Sequence, residues 1–250
     1  MRVGESLAVL ACVLVAAIYA FTQGTYFLSL FANVGLVTYM ALAVATGIVV
    51  FFKLGRSKMT YISVGFSLGL LSWALGLVIY TYAYYVVNTG LPNVSWADFF
   101  YLLEYVPMIV GAVGLLRICS GAVGKRGWAA VVVSGLVLYS LDFIYIIPPS
   151  IATLTAPLDI IVSILYPTLD ITVFLILFPI FLAMRKGVFA KAFGFISLGM
   201  VLLALGDLAY GVLSLASLYY DGNPIDLLLF FGCVSAGYGF WLQYADLRAI

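Results

Sequence analysis

The chain reads as an all-α, polytopic membrane protein of eight transmembrane helices, and three observations predict this. Hydrophobic residues fill 66% of the 250 positions and charged residues 8%, too little polar surface to cover a soluble globule. Mean hydropathy is +1.22, and the apolar sequence is divided into runs of the length, about 20 residues, that crosses the hydrocarbon layer. All eleven Lys and Arg lie at the termini or in alternate connections, the pattern of a chain whose basic loops stay on one side of a bilayer.

The first helix runs from about Ser6 to Phe21 behind Arg2. Its small residues, Ala17 to Ala20, resemble a signal-peptide cleavage point, but the segment is read as a helix of the chain. The turn from Thr22 to Tyr26 leads to the second helix, about Leu30 to Phe52, which ends at the basic loop of Lys53, Arg56 and Lys58. The third helix, Tyr61 to about Val87, exits through the turn-forming cluster NTGLPNVS, and the fourth runs from Trp96 to Arg117. Lys125 and Arg126 mark the next basic loop, before a fifth helix from Trp128 to about Ile147 that stops at Pro148 and Pro149. The sixth helix spans Pro157 to Met184, with proline at a favoured first position. Arg185, Lys186 and Lys191 precede the seventh helix, Ala192 to about Leu218, and YYDGNP opens the eighth, Ile225 to about Tyr244.

The positive-inside rule places both termini in the cytoplasm of a multi-pass cell-membrane protein. The whole chain, 1–250, forms one membrane domain without a soluble part. Histidine is absent, which removes His-ligated metals and any nucleophile system built on imidazole. Cys12, Cys119 and Cys233 are scattered, form no CxxC and read as packing residues. No catalytic residue, metal or cofactor is expected, and the chain is not read as an enzyme.

The acids are distributed in the opposite way to the bases. Only Glu5 and Asp246 lie near the basic ends; Asp98, Asp159, Asp221 and Asp226 sit at the opposite helix entries, and Glu104, Asp142, Asp170 and Asp207 lie deeper. At ~1.5 Å per residue, Glu104 is about 9 Å below its helix entry. A charge at membrane depth costs several kcal/mol, so these carboxylates mark a cavity, a partner or a proton-linked site. Tyrosines follow three residues after three of them: Tyr101 after Asp98, Tyr145 after Asp142 and Tyr210 after Asp207. Such pairs share a helix face and can close polar networks. With no Lys or Arg nearby, the cluster is expected to hold protons, a cation or a cationic ligand, and tyrosines including Tyr80, Tyr84, Tyr85, Tyr105, Tyr219 and Tyr220 suit an aromatic cage around such a ligand.

SLGLLSWALGLVIY from Ser67 matches SLGMVLLALGDLAY from Ser197 without a gap, at an offset of 130 (197 minus 67); SLG, ALG and a tyrosine coincide. Tyr84-Tyr85 and Tyr219-Tyr220 then follow, each before a turn and an aspartate-led helix. A parallel duplication is expected, with halves of about 1–127 and 128–250. ALGD at Ala204 to Asp207 approaches the GxGD motif of intramembrane aspartyl proteases, but its first glycine is alanine. A retinal protein fits less well still, since every lysine lies in or next to a cytoplasmic loop and none is inside a helix to form the Schiff base.

SWADFFYLLEYVPMIVGAVGLLRI, LYPTLD, LALGDLAYGVL and YYDGNPIDLLLFFG together resemble the membrane-embedded amino-terminal sensor region of bacterial GGDEF and EAL signalling proteins. The resemblance covers about Pro92 to Gly239. It implies polar roles for Asp98, Tyr101, Tyr105, Tyr166, Pro167, Asp170, Asp207, Tyr210, Gly222 and Asp226. No nucleotide-cyclase output follows Ile250, so the expectation is a stand-alone receptor-like or sensory protein. Its ligand site draws on Asp98, Tyr101, Glu104, Tyr105, Asp142, Tyr145, Tyr166, Asp170, Asp207, Tyr210 and Asp226. The competing readings are a small secondary or proton-coupled transporter and a structural subunit of a membrane complex. Expected partners are the lipid bilayer, a small cationic or polar ligand, and a separate cytoplasmic or membrane signalling protein, with no nucleic acid.

Overall fold

Side-chain caps fix where the helices begin. In the computed structural model, which describes residues 3–55, 57–89, 91–92, 94–183 and 190–247, the Thr25 hydroxyl accepts the amide of Leu28 and starts α2 (Tyr26–Leu54). This is four residues before the expected Leu30. Ser57 does the same for α3 (Lys58–Thr81) by accepting from Thr60, and Ser95 for α4 (Trp96–Cys119) by accepting from Ala97. Each cap satisfies a helix amide that has no partner in its own helix and is worth about 1 kcal/mol.

The remaining helices are α1 (Val3–Phe21), α5 (Lys125–Tyr145), α6 (Ile147–Thr153), α7 (Pro157–Ala183), α8 (Ala190–Leu215) and α9 (Asp226–Leu247). Eight helical segments among the described residues are long and apolar enough to span a membrane, and the described chain is all-helical without strands. Two boundaries differ from expectation for backbone reasons. Pro148 and Pro149 open α6, because a proline lacks an amide that the first turn does not use. After Thr81 the chain widens into a π-helical turn, Tyr82–Val87, closed by Asn88 in the left-handed conformation (φ 58°). Met184, Arg2, Arg56, Arg185, Lys186 and Arg248 lie outside the described residues, as does the side chain of Asp246.

α2, α3, α4, α7, α8 and α9 pack in that order into a closed ring, with α9 returning to α2. α1 leans on α9 and α5 on α7 from outside. Their apolar windows are 11% and 17% buried, against 61% for α3 and 56% for α8, so α1 and α5 present most of their surface outward. In lipid such faces need no cover. Phe66, Met40, Ile180, Phe193, Phe230 and Phe240 fill the ring. At its basic end the hydroxyl of Ser63 donates to Oε1 of Gln243 at 2.6 Å, a buried link from α3 to α9.

The tightest joints are glycine contacts with backbone, as expected where helices in lipid associate by close packing. A Cβ on Gly65 would lie 2.8 Å from the carbonyl oxygen of Pro107, and one on Gly76 3.0 Å from that of Ala97; these positions set α3 against α4. A Cβ on Gly199 would lie 2.6 Å from the carbonyl oxygen of Gly232 and 2.7 Å from the amide of Ala236, setting α8 against α9. Gly199→Ala therefore has to push two backbones apart and is expected to destabilise by about 1–3 kcal/mol. Gly121→Ala, with nothing within 4 Å, is expected to change little. Thermal unfolding of both variants in detergent checks the contrast, and equal effects would contradict it.

Candidate functional site

α4 enters the bundle on a capping box whose acid has two roles. Oδ2 of Asp98 accepts the Ser95 amide at 2.8 Å and the Ser95 hydroxyl at 2.9 Å, while Oδ1 accepts the hydroxyl of Tyr166 on α7 at 2.8 Å. Asp98 thus uses a tyrosine on another helix rather than Tyr101 on its own. Tyr101 lies against Gly76.

Roughly two turns deeper, the hydroxyl of Tyr105 donates to Oδ1 of Asp170 at 2.7 Å, again joining α4 to α7. Both side chains are buried, at 5% and 3% exposure. Glu104 beside them is 4% exposed and its Oε2 has no hydrogen-bond partner. Asp207 on α8 and Asp170 on α7 are close enough to act electrostatically on Glu104. Three carboxylates from three helices thus meet at this depth.

The α8–α9 turn holds the third acidic group. Asp226 accepts the hydroxyl of Tyr219 at 3.1 Å, the amide of Gly222 at 3.0 Å and the hydroxyl of Tyr19 at 3.4 Å. Gly222 has φ +87°, a left-handed conformation that aims its amide back at the carboxylate. Asp221 accepts the hydroxyl of Tyr85 at 3.1 Å, and Tyr85 is held by Ser29 and by Asn33. The π-helical turn carries Tyr85 and also stacks Tyr84 on Tyr80, ring centroids 6.0 Å apart.

The acids Asp98, Glu104, Asp170, Asp207, Asp221 and Asp226 line one cavity of about 430 Å³. Nine of the eleven expected site residues lie on its wall: Asp98, Tyr101, Glu104, Tyr105, Tyr166, Asp170, Asp207, Tyr210 and Asp226. Asp142 and Tyr145 do not. Asp142 is buried on the peripheral α5, with Oδ1 unpartnered, and Tyr145 is 53% exposed. Asp159 and Asp221 also line the cavity, giving seven carboxylates and, among the described residues, no Lys or Arg in its lining. Sequence reasoning missed Asn33, Ser163 and Ser214, uncharged polar residues that nothing in the sequence sets apart from the other Ser and Thr of α2, α7 and α8. An aromatic vestibule of about 550 Å³ shares Tyr80, Tyr210, Tyr219 and Asp221 with the cavity and adds Tyr26, Tyr84 and Tyr220.

Among the described residues, no three Cys, Asp or Glu converge closely enough to hold a metal ion. The acids are spread along the wall instead. Comparison with protein-family models, curated proteins and solved structures gives no match.

Burial raises Asp221 above the usual carboxylate range, opposed by the hydrogen bonds from Tyr85 and Asn33. Tyr219 is raised by burial and by Asp226 and Asp221, so it stays protonated as the donor to Asp226. For Asp221 the folded state binds the proton more tightly than the unfolded chain does. The stability this contributes is complete below the ordinary carboxylate range and is lost as pH rises through the raised value. Asp221→Asn is expected to flatten that part of the curve of melting temperature against pH. An unchanged slope in the variant would contradict the assignment.

Proposed function

We propose that the chain is a receptor-like integral membrane protein that holds a small cationic ligand in the acidic and aromatic cavity and passes the bound state to a separate partner. The observation that carries the reading is Glu104: a buried carboxylate with an unpartnered oxygen, on a cavity whose charged lining among the described residues is all carboxylate and is accompanied by six tyrosines. A cation bound there neutralises Glu104, Asp170 and Asp207, which have no ion-pair partner among the described residues, and the tyrosine faces add cation–π attraction. The spread of the acids favours an organic cation over a bare metal ion. The resemblance to the GGDEF and EAL sensor region points the same way, since Asp98, Tyr105, Tyr166, Pro167, Asp170, Asp207, Tyr210 and Asp226 share this one cavity.

The parallel duplication belongs to the same proposal. α3 lies between α2 and α4 as α8 lies between α7 and α9, and α2 meets α9 as α7 meets α4. The coinciding glycines behave alike too, Gly69 and Gly76 facing α4, Gly199 and Gly206 facing α9. The outer helices depart from the pattern, since α1 leans on α9 while α5 leans on α7. In this reading the cavity lies between the halves, a usual place for a ligand in repeat-built membrane proteins.

The orientation follows from charge. Lys53, Lys58, Arg117, Lys125, Arg126 and Lys191 lie at the helix ends opposite the cavity mouth, so the positive-inside rule puts the mouth outside the cell membrane and both termini in the cytoplasm.

Two experiments test the reading. In detergent, methylammonium and longer alkylammonium ions are expected to raise the melting temperature of the native protein and of Asp142→Asn, which changes an acid off the cavity. They are expected to leave Asp207→Asn unmoved, because stabilisation by a ligand requires the site that binds it. Equal responses in the two variants would overturn the cavity as the binding site, and alkylammonium flux into proteoliposomes that depends on Asp207 would make the protein a carrier. For the orientation, a cysteine replacing Gln23 in a background without Cys12, Cys119 and Cys233 is expected to react with an impermeant reagent on intact cells. One replacing Lys125 is expected to stay unlabelled.

A further inference from the structure

The seven carboxylates of the cavity are not gathered at one depth. Glu104, Asp170 and Asp207 form its deep end, whereas Asp221 stands where the cavity meets the vestibule. The span is considerable: along α4 alone, Asp98 and Glu104 are six residues apart, about 9 Å of helix rise. The same lining holds apolar side chains, Leu77, Val162 and Leu229 among them, and the tyrosines Tyr80, Tyr210 and Tyr219. Tyr210 and Tyr219 meet edge to face with centroids 4.6 Å apart. A single compact cation seated at the deep end leaves Asp221 without a counter-charge, and one at the mouth leaves Glu104 unpaired.

The chemistry of the deep end narrows the cation further. Oε2 of Glu104 is a buried acceptor with no donor, and leaving such a group unsatisfied is expensive. A quaternary ammonium has no N–H to give it; a primary ammonium has three. Resting on the cation-binding reading above, we propose that the ligand is a linear aliphatic diamine or polyamine. One ammonium donates to Glu104 between Asp170 and Asp207, the methylene chain lies along the apolar and tyrosine walls, and a second ammonium sits at Asp221 at the mouth. The ligand is then read by the spacing of its charges as well as by their sign.

Calorimetric titration of the detergent-solubilised protein with straight-chain diamines from diaminopropane to diaminooctane, with spermidine, and with monoamines of equal carbon number tests this. The diamines are expected to pass through an optimum of length and there to bind about tenfold tighter than the matching monoamine, the return on one further desolvated ammonium contact. Asp221→Asn is expected to bring that ratio close to one, and Asp142→Asn to leave it intact. Tetramethylammonium is expected to bind more weakly than any primary amine. Diamines no tighter than monoamines at every length would overturn the inference on the native protein alone, whether or not the variant folds. A preserved ratio in a folded Asp221→Asn variant would overturn it as well. Monoamine binding that is lost in Asp207→Asn, with no diamine advantage, would sink the two-point ligand but keep the cation cavity. No binding of either kind of amine would remove both.

Discussion

A carboxylate in the hydrocarbon layer has to be neutralised by a proton, a cation or a donor, and the architecture of this chain follows from how that requirement is met. Coulomb energies rise as the dielectric falls, so like charges at the depth of Glu104, Asp170 and Asp207 cannot all remain ionised and bare. The protein supplies tyrosine hydroxyls instead of cations: Tyr166 to Asp98, Tyr105 to Asp170, Tyr219 to Asp226 and Tyr85 to Asp221. A tyrosine can donate one hydrogen bond without cancelling the charge. The proposed cation site is therefore hydrogen-bonded without being neutralised, and Glu104, with an oxygen that has no donor, is its least satisfied acid.

These bonds have the right lengths only because the helices are held at set separations. Three of the four join different helices or their flanking turns, and the joints beneath them are the glycine contacts of α3 with α4 and of α8 with α9. Gly69 and Gly76 press on the stretch of α4 that carries Tyr101 and Glu104, so the same contact that stabilises the pair also fixes how deep the carboxylate lies. Asp98 links local and tertiary structure in one residue, since one oxygen caps its own helix and the other bonds α7.

Much of this was legible in the sequence because membrane constraints act on composition. The eight spans follow from apolar length, the separation of acids from bases from the charges alone, and the crowding of tyrosines near the acids from their positions. What failed is instructive. Spacing of three residues suggested that Asp98 would use Tyr101, but a helix gives its neighbours a better approach than its own next turn, and Tyr166 supplies the bond. The same rule added Asp142 and Tyr145 to the site; they share a helix that turned out to lie outside the ring, and no pattern within α5 reveals which helices close it. Asn33 and Ser163 were missed because an uncharged polar residue among several others in an apolar helix carries no signal until its neighbours are known. Pro148 and Pro149 were read as a stop, though a proline also suits a helix start, and sequence alone does not choose between the two.

The placement of the packed core bears on what kind of membrane protein this is. Beyond Glu104, Asp170 and Asp207 the ring is filled by Met108, Phe174, Leu177, Ile180, Phe193 and Met200, all close to fully buried, and then by the Ser63–Gln243 bond at the basic end. A carrier would have to part this whole layer in every cycle, against dense packing and glycine joints that allow little sliding. A receptor needs much less. In the proposed reading, a ligand that drew Glu104 on α4 and Asp207 on α8 together would act on helices from the two proposed halves, and a small rotation about their glycine contacts would reach the basic end without opening a path. The deep site is bound to the helices that run to the far side, whereas Asp142, the acid on the outlying α5, lies outside this linkage. Depth of burial alone therefore does not put an acid on the cavity; its position on the closed ring does.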